Sequence, residues 1–145
     1  SAEKNRKIIK INDNDFNLKV LPLICYEIIY SGKIFDNHNF DYIFNISEDG
    51  WFGNSIGPHQ HFAHSIFRAI ESGKYIIRSA NNGVTAIINP TGLVEKKLPL
   101  GKSGYIDFSE KRVFNTTLFS QHGNKMFFII ILLYIFLIFS FNRIS

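Results

Sequence analysis

The feature that most constrains this chain is an uncharged stretch near its end, where residues 126–141 read MFFIIILLYIFLIFSF. As an α-helix, this stretch would extend about 24 Å at 1.5 Å per residue, slightly less than a hydrocarbon core of about 30 Å. A helix that is apolar on all faces needs lipid or a larger protein around it. We therefore predict a transmembrane helix over these residues, with Lys125 and Arg143 reaching toward the interfaces. The alternative is a helix buried in a protein core.

The composition describes a folded chain with a mild positive charge. Of the 145 residues, 46% are hydrophobic and 15% aromatic, which excludes a disordered protein. The formal net charge is +4, but basic residues occur singly or in pairs such as Lys96-Lys97 and Lys111-Arg112. A nucleic-acid-binding protein would usually gather them into a stripe, so no nucleic-acid partner is expected. The single cysteine excludes an intramolecular disulfide and says nothing about the cellular compartment.

The first 125 residues contain two strand candidates and one amphipathic helix. Residues 16–24 and 41–46 form apolar runs typical of strands that enter a core. Between residues 59 and 73, one helical face carries apolar side chains and Gly73 offers a C-terminal stop. The predicted apolar face consists of Phe62, Ile66, Ala69 and Ile70.

A hairpin is the strongest short-range signal in the chain. The runs 75–80 and 84–89 flank Asn82-Gly83, a pair that favours a tight turn. Further strands are predicted over 93–98 and 105–108. Strands with one clear helix between them indicate a layered α/β or α+β domain. The predicted organisation is a domain over residues 1–125, the helix 126–141 and a tail of 142–145.

Cys25 is the candidate nucleophile. It follows the strand-like run LPLI and precedes Tyr26 and Glu27. A nucleophile at a strand end is exposed at the sheet edge, beside backbone N–H groups that can stabilise an oxyanion. The thiol also needs a nearby base or cation to become a thiolate. A lone cysteine after an apolar strand is more often an inert core residue, and spacing alone leaves both interpretations open.

Several segments in order resemble motifs of the nitrilase superfamily, in the form found in bacterial apolipoprotein N-acyltransferases. The resemblance covers most of residues 16–142. The matching segments are ICYEI (24–28), NISEDGWFG (45–53), SIGPHQH (55–61), RAIE (68–71), RSANNGVT (78–85), PTG (90–92) and HGN (122–124).

This resemblance implies the C-terminal part of an α-β-β-α sandwich followed by one membrane helix. It also implies a bacterial inner-membrane enzyme whose catalytic part faces the periplasm and uses no cofactor and no metal. The implied reaction moves an acyl chain from a phospholipid to the N-terminal amine of a diacylglyceryl-cysteine lipoprotein, through a thioester on a cysteine. The partners implied are therefore the phospholipid donor, the lipoprotein acceptor, the membrane and the N-terminal part of the same enzyme.

Carried over by motif, the resemblance makes Cys25 the acylated nucleophile, the Tyr26 N–H an oxyanion donor, and Glu27 a residue that orients the site. The family's remaining catalytic residues, a general-base Glu and a Lys, lie farther upstream than this chain reaches. Lys10 and Lys19 stand outside the matching motif and receive no role. The chain by itself is therefore predicted to be catalytically incomplete.

Four further residues are assigned to the surroundings of the site. Trp51 and Phe52 would shape the pocket, although Trp51 could also be a core residue. Arg68 and Glu71, three apart on one helix, would brace the loops around the pocket, or form an ordinary exposed pair. A second set, His59, His61 and His64, invites a zinc hypothesis, but no Cys, Asp or Glu stands nearby at convincing spacing.

Three functional hypotheses remain open at this stage. The first is an apolipoprotein N-acyltransferase piece that becomes active when the missing Glu and Lys are supplied. The second is a nitrilase-type amidase acting on soluble C–N substrates, against which the terminal apolar helix argues. The third is an inactive remnant or an interaction module.

Overall fold

The computed structural model describes residues 6–13, 17–32, 39–109 and 112–144. Phe16, Lys111 and Ser145, which belong to predicted features, lie outside these residues. The described residues form a six-stranded sheet with the strands in chain order. The strands are β1 (Ile9–Asn12), β2 (Asn17–Ile24), β3 (Tyr42–Glu48), β4 (Tyr75–Asn81), β5 (Thr85–Ile88) and β6 (Val94–Leu98).

Three parallel strands form the centre of the sheet. β2 pairs with β3 and β3 pairs with β4 in parallel, whereas β1, β5 and β6 join through antiparallel pairs. The β2–β3 ladder ends at the pair Ile24–Ile46, and the β3–β4 ladder ends at Glu48–Asn81. The residues that follow β2 and β3 therefore meet at one edge of the sheet, as the carboxyl ends of parallel strands do.

The helices are α1 (Gly57–Ser72), α2 (Leu118–His122) and α3 (Lys125–Ile144). One 3-10 helix, Cys25–Ile29, directly follows β2. A second 3-10 helix, Gly50–Phe52, begins two residues after the end of β3. α1 carries Pro in its first turn and ends at Gly73, whose φ of 68° lies in the left-handed region. The predicted helix, its stop and the β4–β5 hairpin are thus confirmed.

The buried face of α1 differs from the predicted one. Ala69 is fully buried and Phe62 and Ile66 pack against the core, but Ile70 is 47% exposed. The face that α1 buries is mostly small or polar and consists of Gly57, Pro58, His61, Ser65, Arg68, Ala69 and Ser72. The apolar periodicity did not predict this buried face, because buried hydrogen-bonding partners hold these polar side chains inside the protein.

Two strand predictions need correction. Residues 105–108 form no strand, and Ile106 and Phe108 instead pack on the sheet through their side chains. β1 was not predicted, because its side chains are all exposed and its sequence IKIN is short. The predicted α/β layering is nevertheless confirmed.

The two faces of the sheet bury different side chains. On the α1 side, the core is aliphatic and includes Leu23, Ile43, Ile76 and Ile88. On the opposite side, an aromatic cluster is formed by Tyr42, Tyr75, Ile87 and Phe108. Tyr42 and Tyr75 are register partners at the first positions of β3 and β4.

The segment predicted to cross a membrane does form a helix, α3. In the part of the chain that the structure describes, however, no helix is both long and apolar enough to cross a membrane, so the predicted span is not supported. The division into a domain, a span and a tail stays a prediction.

Candidate active site

Cys25 lies where β2 turns into a 3-10 helix. Its φ of 48° is in the left-handed region, which a residue other than glycine seldom adopts. The residue is half-buried, and its Sγ lies 3.9 Å from the carbonyl oxygen of Glu48 at the end of β3. A sharp strand-to-helix turn of this kind presents a side chain above the sheet edge and faces it with backbone N–H groups.

Glu27 fastens this turn from within. Its Oε2 accepts a 2.7 Å hydrogen bond from the backbone N–H of Ile24, the residue before the nucleophile candidate. Its Oε1 accepts a 3.2 Å bond from Nε of Arg6. The carboxylate therefore ties the start of the 3-10 helix to the N-terminal segment, which fits the orienting role predicted for this position.

A buried histidine connects the turn to the centre of the sheet. The Nε2 of His61 lies 3.3 Å from the carbonyl oxygen of Cys25, and its Nδ1 lies 2.8 Å from Oδ1 of Asp49. The other carboxylate oxygen, Oδ2, accepts a 2.7 Å bond from Arg78. The side chains of Asp49 and Arg78 are fully buried and that of His61 nearly so. A continuous chain of hydrogen bonds thus runs from the β4 arginine to the backbone of the nucleophile candidate.

Arg78 anchors that chain through several further bonds. Its Nε donates to the carbonyl of Val84, and one guanidinium nitrogen contacts the side-chain oxygens of Asn45, Ser47 and Ser65. Burial lowers the pKa of Arg78 from the ordinary arginine value, while Asp49 and Cys25 act in the opposite direction. An arginine remains charged even so, and the cation is stabilised by its paired carboxylate.

Tyr26 and Phe52 form an aromatic wall beside this chain. The Tyr26 ring stacks on the imidazole of His61 at 5.4 Å, and the Phe52 ring lies 5.7 Å from it. A cleft of about 150 Å³ opens here and is also lined by Ile29 and His64. Phe52 thus lines a cavity as predicted, whereas Trp51 is 87% exposed and is neither core nor cavity wall.

Arg68 and Glu71 form an ion pair behind the turn. Their N–O distance is 2.6 Å, and Arg68 is only 4% exposed, so the pair is not an ordinary surface pair. Arg68 also donates to the carbonyl of Ile29 at the end of the 3-10 helix, and Glu71 accepts from the hydroxyl of Ser31. Desolvation lowers the pKa of Arg68, and the charge of Glu71 partly restores it. These contacts place the pair against the segment after Cys25, and its bracing role stays a prediction.

Glu48, the last residue of β3, contacts the Cys25 thiol through its main-chain oxygen. Its carboxylate accepts bonds from the backbone N–H of Gly50 and from the side-chain amides of Asn81 and Asn82. These donors lower the pKa of Glu48, with the Gly50 N–H as the largest cause. Only its main-chain oxygen is placed near the thiol, so the carboxylate serves the loop rather than the sulfur.

The three histidines of the zinc hypothesis have different surroundings. His59 is exposed, and His61 uses both ring nitrogens in the contacts described above. Burial and the nearby Arg68 lower the pKa of His64. Within residues 6–13, 17–32, 39–109 and 112–144, no group of three or more His, Cys, Asp or Glu side chains is arranged to hold a metal ion.

The fold therefore brings Cys25, Tyr26, Glu27 and Phe52 together, holds Arg68 and Glu71 behind them and leaves Trp51 in solvent. From the sequence, His61 was considered only as a zinc ligand, and neither Asp49 nor Arg78 received a role. A signal was present, because a charged residue in the apolar strand YIIRSAN and polar residues in YIFNISE both break the pattern of a buried strand.

Comparison with known proteins places these features in a family. The sequence is 46% identical over 129 residues to an apolipoprotein N-acyltransferase of Rickettsia bellii (strain RML369-C), covering 88% of this chain and 25% of that protein. It is 45% identical over 123 residues to an apolipoprotein N-acyltransferase of Wigglesworthia glossinidia brevipalpis, covering 80% and 24%. The chain thus spans about a quarter of the length of the curated relatives it matches.

Among solved structures, an amidase from Nesterenkonia sp. AN1 aligns with a TM-score of 0.48 and 12% identity, over 66% of this chain and 40% of that one. That likeness is too weak to bear on the argument. A sequence model described as carbon-nitrogen hydrolase matches residues 3–109. The resemblance to the nitrilase superfamily is confirmed by this match, which covers well over half of the chain. The chain belongs to the carbon-nitrogen hydrolase family.

Proposed function

We propose that this chain carries the nucleophile of an apolipoprotein N-acyltransferase, which moves an acyl chain from a phospholipid to the N-terminal amine of a diacylglyceryl-cysteine lipoprotein. The observation that carries the proposal is the placement of Cys25 on a left-handed turn at the carboxyl end of a central strand. The identity of 45–46% to two apolipoprotein N-acyltransferases supports the same reaction class.

In the proposed first step, the Cys25 thiolate attacks the carbonyl carbon of the phospholipid ester. The C–S bond forms, the ester C–O bond breaks, and the lysophospholipid alkoxide leaves with the proton that the general base had taken from the thiol. In the second step the amine nitrogen attacks the thioester, the C–N bond forms and the C–S bond breaks. The thiolate is regenerated, and the base takes the proton of the amine.

The residues around Cys25 are assigned the following roles. The Tyr26 N–H would bind the oxyanion of both tetrahedral intermediates. Glu27 would hold the nucleophile turn through the Ile24 N–H. Phe52 would line the acyl pocket, while the exposed Trp51 would contact the lipid or the lipoprotein. The general base and the oxyanion-binding lysine would come from a polypeptide outside this chain, and we call the chain together with that polypeptide the complete assembly.

Arg68 and Glu71 would preserve the shape of the segment after the nucleophile. They contact the carbonyl of Ile29 and the hydroxyl of Ser31, which bound the end of the 3-10 helix. Because this pair touches the backbone of the turn rather than the thiol, we assign it to positioning.

We further propose that the protein is associated with the bacterial inner membrane, with the catalytic part on its periplasmic side. The support on the molecule is α3, where the side chains of residues 127–139 are all exposed in this chain. Such a helix is stable where lipid or another apolar surface covers it. A phospholipid substrate would also be met at a membrane, and the side follows from the family resemblance alone.

Intact-mass measurement tests the proposed activity. The complete assembly is incubated with phospholipid, and Cys25→Ala is the comparison. A hydroxylamine-sensitive acyl adduct on Cys25, which disappears when a diacylglyceryl-cysteine peptide is added, is the expected result. Ammonia release from soluble amides without an acyl adduct would instead identify an amidase. The absence of both would mean that the chain is an inactive remnant.

A further inference from the structure

The peptide unit that joins Cys25 to Tyr26 carries two functions at its two ends. Its N–H is the oxyanion donor of the proposed function, on which this inference rests, and its carbonyl is the group that His61 contacts at 3.3 Å. A peptide unit is planar, and its C=O and N–H point in opposite directions. Any group that fixes the direction of the carbonyl therefore also fixes the direction of the N–H.

The sheet does not fix this peptide unit. The β2–β3 ladder ends one residue earlier, at Ile24–Ile46, and Cys25 itself has a φ of 48°. Backbone in that region persists only where its surroundings hold it. The contact with His61 adds a side-chain bond to a peptide unit that otherwise belongs only to the short 3-10 helix Cys25–Ile29.

His61 is itself held firmly. Its Nδ1 is bonded to Asp49, which Arg78 holds in turn, and both of those side chains are fully buried. The backbone of Gly83 closes the far side of Asp49, since a Cβ at Gly83 would lie 2.2 Å from Oδ2. The Tyr26 and Phe52 rings pack against the imidazole. The ring therefore has little freedom to turn away from the carbonyl.

The position of His61 distinguishes it from a general base. Its Nε2 faces the carbonyl oxygen of Cys25, whereas the nearest polar contact of the Cys25 sulfur is the main-chain oxygen of Glu48. A carbonyl only accepts hydrogen bonds, so the contact requires a proton on Nε2. Such a donor also polarises the peptide unit and makes its N–H a stronger donor.

We propose that His61 is a positioning residue that aligns the oxyanion donor. Through the Cys25 carbonyl, and with Asp49 and Arg78 behind it, His61 sets the direction of the Tyr26 N–H. The interaction belongs to the tetrahedral intermediates rather than to the bound lipid. Its loss is therefore expected to lower kcat and to leave KM nearly unchanged.

Two substitutions separate this role from a merely structural one. The amide nitrogen of His61→Gln reaches the place of Nε2, and that of His61→Asn reaches only the place of Nδ1. In the complete assembly, His61→Asn is expected to slow formation of the acyl thioester by about 100-fold, as the loss of one oxyanion donor does. His61→Gln is expected to recover most of that rate. His59→Asn, an exposed position on the same helix, serves as the matched control and is expected to behave as wild type.

A spectroscopic measurement tests the contact between His61 and the Cys25 carbonyl without depending on the acyl-transfer reaction. Cysteine labelled with ¹³C at the carbonyl gives a Cys25 signal, assigned by its loss in Cys25→Ser, that reports the hydrogen bond. The signal is expected to shift in His61→Asn and not in His61→Gln. Equal rate losses in both variants with an unshifted signal would overturn the proposal, as would wild-type rates in both. If wild type forms no acyl adduct, the proposed function fails, and the carbonyl signal still decides whether His61 holds the peptide unit.

Discussion

The two faces of the central sheet are built from the same strands but differ in what they bury. On one face, β3 and β4 contribute Tyr42 and Tyr75, which pack with Phe108 at ring distances of 5.4 and 5.3 Å. On the other face, next to α1, the same strands bury Asn45 and Arg78 beyond an aliphatic core. Alternation along a strand allows this division, because successive side chains point to opposite faces.

The difference suggests a separation of tasks. The aromatic face gains stability from burial and ring packing, and its ring contacts join Tyr42, Tyr75, Phe108 and Phe114. The face next to α1, which we call the polar face, buries the charged Arg78 beside its aliphatic core. Burying a charge carries a desolvation cost, which only complete pairing offsets. We therefore expect changes on the aromatic face to alter stability alone, and changes on the polar face to alter stability and activity together.

The largest effect is expected for Arg78→Met. This substitution leaves Asp49 buried without its cation, and breaking a buried pair in this way costs about 3–5 kcal/mol. Urea denaturation should show that loss, and the acyl-adduct assay should show a lower rate in the molecules that remain folded. Lys97→Met, at an exposed position on β6, is the control and should change stability by less than about 0.5 kcal/mol. If Arg78→Met lowered the free energy of unfolding no more than Lys97→Met does, Arg78 would not act as a charged anchor for Asp49.

A smaller loss is expected for Tyr42→Leu on the aromatic face. The substitution removes the edge-to-face contact with Phe108 and part of the buried volume, at a cost of about 2 kcal/mol. Thermal denaturation measures this loss. The rate of acyl-adduct formation per folded molecule should stay at the wild-type value, and a clear drop in that rate would break the separation between the two faces.

Tyr75→Phe tests the same aromatic face by removing a single hydrogen bond. The Tyr75 hydroxyl donates to Glu95 at 3.0 Å, and the loss of such a bond typically costs about 1 kcal/mol. Glu95→Gln keeps an acceptor at this position and should cost less than the tyrosine variant. If the two variants destabilise equally when measured in urea, the charge of Glu95 matters more than the bond itself.

The smallest effect concerns pH and Glu48, the last residue of β3. Its pKa is lowered in the folded state, so its contribution to stability is present above the ordinary value of 4.5 and is lost as the pH falls through the lower folded value. Glu48→Gln should therefore lower stability slightly at neutral pH and flatten the acid end of the stability-versus-pH curve, so that the variant and the wild type converge as the pH falls. An acid end as steep as in the wild type would show that other carboxylates dominate it.

Much of the sheet could be predicted from local patterns. The runs that became β2 to β5 are dense in apolar residues, and Asn82-Gly83 is a strong turn signal, as the φ of 53° at Asn82 bears out. β1 escaped because an exposed strand of four residues carries no burial pattern. The segment 105–108 was wrongly predicted as a strand, because its apolar side chains pack on the sheet while its backbone does not pair with a strand.

The site could be predicted only in part. Cys25, Tyr26 and Glu27 lie together in the sequence, so a motif identifies them. The chain of His61, Asp49 and Arg78 comes from three separate elements, and only the parallel pairing of β3 with β4 and the position of α1 bring those residues together. The predicted apolar face of α1 did not include His61, because hydrophobic patterns cannot foresee a polar side chain that is buried by its partners.

The β4–β5 turn has a consequence for where this chain tolerates insertions. Hairpin tips are usually permissive sites for added sequence. Here the backbone of Gly83 lies directly against the Asp49 carboxylate, and even a methyl group would lie 2.2 Å from it. A tag or loop graft at this tip would therefore disturb the interior of the site, whereas Gly101, where a Cβ would meet nothing within 4 Å, offers open space for one.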